Sequence, residues 1–515
     1  MAQSIVRNIA SSIRKAKYFS IMADEVTDAS NKEQVVICFR RVDDQLEAHE
    51  DFVGLYMVES IQSDNIVHVL TDTMTRMNLS INNCRGQCYD GASNMAGSRK
   101  GVVTQIRALE PRATYTHCYG HALNLAVSDT VKQNKILRDV LDITFEISKL
   151  VKFSPKRDAM FTRLKEELVP GTIGFRTLCP TRWTVRAASL HSVLENYAVF
   201  QALWQEVKES RIDSEIRARV TGVEAAMNKF DFLFGLMLGE RLLRHTDNLS
   251  KTLQNPSMTA SEGQNIADLT VKTLSTMRSE EAFDIFWKQV EVLRQQTGLS
   301  EAALSRKRKA PFGSEVGRSE GYHPSSPKEY YRRQYFECFD FIVSSIRDRF
   351  NQPGYTSLLN TENLLLKAAK GDNYGTELAF VQDYYGDDVI LSSLATQLEL
   401  LTTAFTPQLE EVTLSTIKSF LQSLSLAQKA SFSEVCKVLC FVLVTPATNA
   451  VSERSASALR RVKTYLRSTM SQVRLNNLLV LHAHKAETDT LSISSCLNEF
   501  VAGSEHRLRI FGKFD

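Results

Sequence analysis

The chain has 515 residues, of which 43% are hydrophobic and 23% are charged, and its formal net charge is +3. This length predicts about two to four domains, and a net charge so close to zero excludes bulk charge as the basis of nucleic-acid binding. Nine cysteines without dense spacing indicate reduced thiols, and no apolar run approaches the roughly 20 residues of a membrane span, so a soluble intracellular protein is expected. The first predicted element is an amphipathic helix with Ile5, Ile9 and Ile13 on one face, not a signal peptide.

Alternating apolar segments then predict a series of strands, and longer periodic segments predict helices between them. The predicted strands are 18–23, 34–40, 52–58, 84–89 and 114–117. The predicted helices are 63–77, 101–109 and one that opens at Gly120. The resulting order, βββαβαβα, is that of a ribonuclease-H-like domain, in which a mixed sheet brings the ends of the first and fourth strands side by side.

Helical patterns dominate the rest of the chain. They are interrupted at 296–328, where Ser, Gly, Pro and charge indicate a surface loop or disordered linker. The predicted fold class is α/β (α+β): a mixed sheet interrupted by a large all-α insertion, with a C-terminal helical region that completes the sheet domain. The predicted limits are 1–195 for the first part of the sheet domain, 196–425 for the insertion and 426–515 for the returning region.

Three carboxylates at the ends of predicted elements are the candidate catalytic residues. Asp24 and Asp90 follow predicted strands one and four, and Glu453 lies in the first turn of a helix that begins after Pro446. Taken singly, each has a structural explanation, as a turn aspartate or as a carboxylate at a helix N-terminus. Together they suit two divalent cations that catalyse phosphoryl transfer. Glu25 is expected to point away from this site.

Five segments, in the order MADEVTDASNKEQ, CYDGASNMAG, HCYGHALNL, PTRW and PATNAVSERSASALRRVKTYLRSTM, resemble the motifs of hAT-superfamily transposases. The likeness is closest to the transposase-derived group that includes the MYM-type zinc-finger proteins. It implies a ribonuclease-H-like catalytic domain split by a helical insertion, with a C-terminal dimerisation region. It also implies that Asp24, Asp90 and Glu453 bind two Mg²⁺ or Mn²⁺ ions. Two features depart from the family: Ala456 stands where an aromatic residue is usual, and no zinc finger precedes residue 1.

Cys118 and His121 form a Cys-x-x-His motif after the fifth strand. With Cys84 and Cys88 they would supply four zinc ligands, but strand residues four apart are separated by about 13 Å, which disfavours zinc. The resemblance implies that such a motif orders the active site, with Cys118 in support and His121 contacting DNA or catalytic water. A packed histidine at a helix start is an equally good interpretation.

Basic and aromatic residues further along the chain suggest contacts with nucleic acid and localisation in the nucleus. Trp183, between Arg182 and Arg186, suits stacking on an unpaired base while the cations hold phosphates; the resemblance implies that this base is flipped from the DNA flank, and a core tryptophan is the structural alternative. The run Arg306, Lys307, Arg308 and Lys309 is typical of a nuclear-localisation signal or of solvated charge.

The segment after Met470 predicts self-association. Leu475, Leu478, Leu479 and Leu481 crowd one short helix, and surplus apolar surface often marks an interface. The position matches the family's dimerisation region, so a homodimer is expected; the alternative is that the insertion domain covers the leucines within one chain.

Two functions agree with the sequence. One is a DNA transposase that cleaves and transfers strands at an Asp-Asp-Glu site. The other is a domesticated, catalytically inactive nuclear protein that keeps the fold and the dimer surface for transcription regulation. The expected partners are DNA and a second copy of the chain, and the expected location is the nucleus.

Overall fold

The computed structural model describes residues 1–179, 185–255, 258–304, 324–351, 353–405 and 412–514. These residues form two compact units. Unit 1 comprises Met1–His121, Leu253–Gly263 and Asn351–Asp515, and unit 2 comprises Ala122–Thr252 and Gln264–Phe350. The chain therefore leaves the first unit, forms the second, and returns. None of the described helices is long and apolar enough to cross a membrane.

Unit 1 contains a mixed sheet of order β3-β2-β1-β4-β5. Its strands are β1 Phe19–Thr27, β2 Glu33–Val42, β3 Ala48–Val58, β4 Cys84–Tyr89 and β5 Thr114–His117. The first three pair antiparallel, and β1–β4 and β4–β5 pair parallel. The predicted strands and fold class are confirmed. One position differs: Asp24 lies inside β1 rather than at its end, because antiparallel pairing with β2 extends the strand to Thr27.

The remaining elements of unit 1 are helical and come from both ends of the chain. The N-terminal helices are α1 Ala2–Ala16, α2 Ser63–Arg76, α3 Ser93–Ala96 and α4 Val102–Leu109, with a 3₁₀ turn at Ile81–Asn83. The C-terminal helices are α15 Pro353–Lys370, α16 Gly375–Tyr385, α17 Leu391–Phe405, α18 Leu414–Ser423, α19 Leu426–Ala430, α20 Ser433–Val444, α21 Ala450–Val462, α22 Gln472–Ala483, α23 Lys485–Thr490, α24 Ile493–Ala502 and α25 Glu505–Phe511. A 3₁₀ turn at Tyr465–Arg467 lies between α21 and α22.

Unit 2 is helical in its described residues. The helix α5 Tyr119–Gln133 crosses the boundary between the units. The others are α6 Lys135–Lys152, α7 Pro155–Leu168, α8 Arg186–Glu195, α9 Tyr197–Glu209, α10 Ser214–Met227, α11 Phe230–Leu253, α12 Ala260–Met277, α13 Glu280–Thr297 and α14 Pro327–Phe350. Aromatic side chains fill its core: Phe200 stacks on Trp204 at 6.0 Å between ring centroids.

The division between the units differs from the predicted domain limits at 195 and 425. Helices α15 to α18 and α20 belong with the sheet, because they share one buried cluster with Tyr18, Val42 and Leu46. The buried guanidinium of Arg40 also bonds to the carbonyl of Leu443 at 2.9 Å, which ties α20 to β2. The all-α part that interrupts the sheet unit therefore comprises residues 122–252 and 264–350.

Candidate active site

The first two candidate carboxylates lie where the pairing of β1 with β4 ends. These strands run parallel up to the pair Met22–Cys88. Asp24 and Asp90 each lie two residues further on, and residues two apart on a strand share a face. The register therefore brings the two aspartates to the same place on the sheet. The Asp90 carboxylate accepts a hydrogen bond from the Ala92 amide at 3.1 Å, which begins the turn after β4.

Helix α21 delivers Glu453 to the same place. Asn449, immediately before the helix, donates from Nδ2 to the carbonyl of Ala23 at 2.6 Å, next to Asp24. The Asn449 amide donates to Sγ of Cys118 at 3.2 Å. Its carbonyl accepts the amide of Glu453 at 3.2 Å. The start of α21 is thus fixed to β1 on one side and to the segment after β5 on the other, and Cys118 is a structural anchor of the site.

Asp24 lies within electrostatic reach of both Glu453 and Asp90. Burial raises the pKa of Asp24 to about 7, and repulsion by Glu453 and Asp90 adds to the effect. Burial also raises the pKa of Glu453 to about 7, against a smaller opposing influence of Arg454. A carboxylate whose pKa is near 7 is costly to ionise unless a cation lies beside it. Perturbed pKa values of this kind are common in functional sites.

Glu25 is a further carboxylate near Asp90, and that its side chain points away from Asp24 stays a prediction. Burial raises its pKa to about 7; a hydrogen bond from Asn94 opposes this shift, and Asp90 and Glu33 add to it. The Asn94 side chain donates to Oε1 of Glu25 at 2.6 Å. Alternation along β1 does not isolate Glu25, because α3, after β4, supplies the partner. The asparagine of the DGASN segment was the signal that sequence reasoning missed.

Asp28, by contrast, has a structural role. Its carboxylate accepts a hydrogen bond from Nζ of Lys463 at 2.6 Å, and both side chains are almost fully buried. It also accepts bonds from the Ser30 amide at 2.7 Å and from Gln34 at 3.0 Å. Burial alone would raise its pKa, but these bonds lower it to about 2. Asp28 therefore holds the far end of α21, whose first turn carries Glu453.

Two histidines lie beside the turn after Asp90. The ring centroids of His117 and His121 are 5.8 Å apart. A Cβ placed on Gly91 would meet His117 Cε1 at 2.7 Å, so the ring of His117 packs directly on this glycine. His117 therefore lies between His121 and the turn that follows Asp90. The sequence analysis did not single out His117. The contact of His121 with DNA or water stays a prediction.

We expect Gly91→Ala to destabilise unit 1 by about 1–3 kcal/mol, because the added methyl group overlaps the His117 ring. Chemical denaturation measures the change. Gly174→Ala is the matched control, since nothing lies within 4 Å of a Cβ there. Equal stability of Gly91→Ala and the wild type would show that His117 does not pack on this turn.

The side chains of the site determine which metal ions it can bind. Within the described ranges, no three or more His, Cys, Asp or Glu side chains are grouped so that they could hold a metal ion. This includes the four zinc ligands considered above. The chemistry of the acidic residues nevertheless suits Mg²⁺ or Mn²⁺, which prefer carboxylate oxygens. Asp24, Asp90 and Glu453 would have to draw closer to share ions, and the two ions stay a prediction.

Most of the predicted basic contacts lie outside the described residues. These are Arg182, Trp183 and the run Arg306, Lys307, Arg308 and Lys309. Arg186 is described in unit 2, at the start of α8. Burial lowers the pKa of Arg186, which the nearby carboxylate of Asp247 partly offsets. Its role in nucleic-acid binding stays a prediction.

The four leucines do not form the exposed stripe that was predicted. Leu475 and Leu479 are 0% and 1% exposed and belong to the core of unit 1. Leu478 is half-buried, and Leu481 packs against the same core. The reason is that α22 packs on β3, α1 and α21, so its apolar face is covered within its own chain. Leu475 and Leu479 are therefore not available for contact with a second copy of the chain.

The sheet order, the split chain and the carboxylates on β1, after β4 and on a late helix define a ribonuclease-H-like domain. Comparison with protein families agrees. Residues 1–101 match the family described as "ZMYM1/FAM200, RNase-like domain", and residues 408–486 match the "hAT family C-terminal dimerisation region". Two segments of the chain are thus similar to hAT-derived proteins, and the resemblance seen in the sequence is confirmed.

The chain is also similar to two curated proteins, both named "52 kDa repressor of the inhibitor of the protein kinase". The Mus musculus protein is 21% identical over 483 residues, and the Homo sapiens protein is 22% identical over 485 residues. Each alignment covers 91% of this chain and 62% of the relative. The chain thus spans less than two thirds of the length of the curated relatives it matches.

Proposed function

We propose that this chain cleaves and transfers DNA strands at an acidic site formed by Asp24, Asp90 and Glu453. The observation that carries the proposal is the geometry: the β1–β4 register brings Asp24 and Asp90 to the same place on the sheet, and Asn449 fixes the start of the Glu453 helix to the carbonyl of Ala23, next to Asp24. A fold gains no stability from such an arrangement. The hAT-derived relationship supports DNA as the substrate.

The three side chains would act by holding divalent cations and by orienting the phosphodiester. Bound Mg²⁺ or Mn²⁺ would neutralise the carboxylates, activate water and stabilise charge on the reacting phosphate. The oxygen of a water molecule forms a bond to phosphorus as the P–O3′ bond breaks, and the leaving 3′-oxygen takes up a proton. In strand transfer, the freed 3′-hydroxyl takes the place of water. Asn449 and Cys118 are positioning residues, since they hold the start of α21.

The proposal is tested by incubating the chain with supercoiled plasmid and Mg²⁺ or Mn²⁺. Nicking by the wild type and its loss in both Asp24→Asn and Glu453→Gln are expected. A chain that binds DNA but never nicks it would contradict the proposed activity.

A second candidate function is that of a domesticated regulator without turnover. It is favoured by the word "repressor" in the names of the relatives and by the absence of a ready metal group in the described residues. On this proposal the chain works in the nucleus, which the basic run at Arg306–Lys309 also supports. The nicking assay separates the two functions.

We also propose that the chain forms a homodimer through α24 and α25. Both helices follow the matched dimerisation region, and they expose apolar side chains that the described residues leave uncovered. Phe500, Ile510 and Phe511 are each more than half exposed. Together with Ile493 they form a surface of the kind that usually binds a partner.

We expect the paired change Phe500→Glu and Ile510→Glu to convert a dimer to a monomer of 58.1 kDa, because charges at an apolar interface are costly to bury. Light scattering gives the mass. The control pair is Leu269→Glu and Ile285→Glu, which are equally exposed residues of unit 2. A dimer that survives the α24–α25 changes would place the interface elsewhere.

A further inference from the structure

The surface that follows Glu453 along the chain is strongly basic. Between Glu453 and Glu487 the sequence contains no Asp or Glu. Arginines recur through this stretch, on α21, in the following 3₁₀ turn and on α22. The exposed ones are Arg454, Arg460, Arg461, Arg467 and Arg474.

Four of these arginines have no carboxylate partner among the described residues. No described carboxylate lies within ion-pair distance of Arg460, Arg461, Arg467 or Arg474, and Arg454 approaches Glu50 only at 3.9 Å. Arg278, by comparison, is an exposed arginine paired with Asp340 at 2.6 Å. A solvated surface normally mixes both signs of charge, so an unpaired group of one sign indicates a ligand of the opposite sign.

Two exposed apolar side chains lie in the middle of this group. Tyr465 and Leu466, in the 3₁₀ turn, are 85% and 90% exposed. The turn is held in place, because Ser30 donates a hydrogen bond to the carbonyl of Ser468 at 3.2 Å and Lys463 is bound to Asp28. The aromatic ring is thus presented on a fixed support between arginines. Cations beside an exposed ring are typical of a surface that contacts both the phosphates and the bases or sugars of nucleic acid.

We propose that Arg460, Arg461, Arg467 and Arg474, with Tyr465, form a DNA-binding ridge that leads the substrate strand to the acidic site. The ridge begins on the helix whose first turn carries Glu453. From Arg454 to Arg461 the helix advances about 10 Å, enough to follow several phosphates of a strand.

The electrostatic need for such a ridge follows from the site. Uncompensated carboxylates repel the phosphates they must act on, and fixed guanidinium groups beside them offset this repulsion over the range of a Debye length. The inference rests on the proposed function for the identity of the ligand. It does not require cleavage, because phosphate binding by arginine needs no divalent cation.

The test is DNA binding by the full chain in EDTA, measured by fluorescence anisotropy with a labelled duplex at several NaCl concentrations. The variant carries Arg460→Gln, Arg461→Gln, Arg467→Gln and Arg474→Gln. Loss of four phosphate contacts should weaken binding on the order of 100-fold and reduce the slope of log K against log salt by about 3 to 4. The control carries Arg163→Gln, Arg278→Gln, Arg332→Gln and Arg333→Gln, arginines that are paired with carboxylates.

The control removes the same number of charges, so it separates a specific ridge from bulk charge. Loss of affinity and slope in the ridge variant alone supports the proposal. Equal losses in both variants overturn it, as does unchanged DNA binding with a lower mass in light scattering, which would make the surface an interface between copies. Asp24→Asn separates this inference from the proposed function: its nicking should be lost, while its affinity for DNA in EDTA should not be weakened, because the change only removes a negative charge.

Discussion

We expect Asp24→Asn to abolish cation-dependent DNA nicking and, at about pH 8, to make the folded chain more stable than the wild type. Loss of activity follows from the loss of one of the three proposed cation ligands, and a decrease of at least about 1,000-fold is anticipated. The gain in stability follows from the electrostatics, because the neutral amide removes a buried charge that Glu453 and Asp90 repel. Few substitutions in a core are expected to stabilise it, which makes this combination diagnostic.

The pH dependence has a definite sign. The folded-state pKa of Asp24 is raised from 3.8 to about 7, so the native state keeps a proton that the unfolded state has already lost. Stability of the wild type should therefore rise as the pH falls from about 7 to about 4, by an amount on the order of 4 kcal/mol for this carboxylate. Glu453 and Glu25 contribute in the same direction. Asp24→Asn should flatten this rise.

Divalent cations provide the complementary measurement. At about pH 8, Mg²⁺ should raise the unfolding temperature of the wild type, since a ligand that binds only the native state stabilises it. It should have a smaller effect on Asp24→Asn. Asp44→Asn is the control, because Asp44 is an exposed carboxylate paired with Lys15. Nicking by Asp24→Asn at the wild-type rate would exclude Asp24 from the chemistry. A variant less stable than the wild type at about pH 8 would contradict the repulsion of Asp24 by Glu453 and Asp90.

The parts of the site that could be predicted are the residues that neighbouring residues in the sequence mark. An apolar run followed by an aspartate and a turn marks Asp90, and Pro446 followed by an amphipathic pattern marks the start of the Glu453 helix. Their convergence depends on strand order, which the βββαβαβα pattern supplies. The anchoring of α21 by Asn449 and Cys118 could not be read from the sequence, since the two residues are 331 positions apart.

The predictions for Glu25 and for the leucines of α22 share one physical limitation. Sequence periodicity shows which face of a strand or helix a residue lies on, but it does not show what packs against that face. Glu25 alternates with Asp24 along β1, yet Asn94 and Asp90 surround it from another element. Leu475 and Leu479 form an apolar stripe, yet the sheet of their own chain buries them. The same reasoning explains the domain limits, because the helical patterns at 353–425 do not reveal that these helices pack on the sheet rather than in the insertion.

We expect Lys463→Met to destabilise the fold by about 3–5 kcal/mol, because it leaves the Asp28 carboxylate buried without its cation. The Nζ–Oδ2 distance of 2.6 Å and the near-complete burial of both side chains make this pair different from a surface ion pair. The loss should also lower nicking, since the pair fastens the end of the helix that carries Glu453. Chemical denaturation and the plasmid assay measure the two effects.

The double variant Asp28→Asn with Lys463→Met should recover part of the lost stability, since the amide removes the uncompensated charge. The pH dependence is opposite to that of the acidic site. The pKa of Asp28 is lowered to about 2, so the pair stabilises the wild type above about pH 4 and its contribution is lost as the pH falls towards 2.

The cost of Lys463→Met should consequently be largest near neutral pH and shrink in acid, where Asp28 is protonated in both states. Lys15→Met is the matched control: Lys15 pairs with Asp44 on the surface, and its loss should leave the unfolding temperature almost unchanged. A cost for Lys463→Met that is as small as the control's, or that does not vary with pH, would show that the α21 helix is held by its apolar contacts alone.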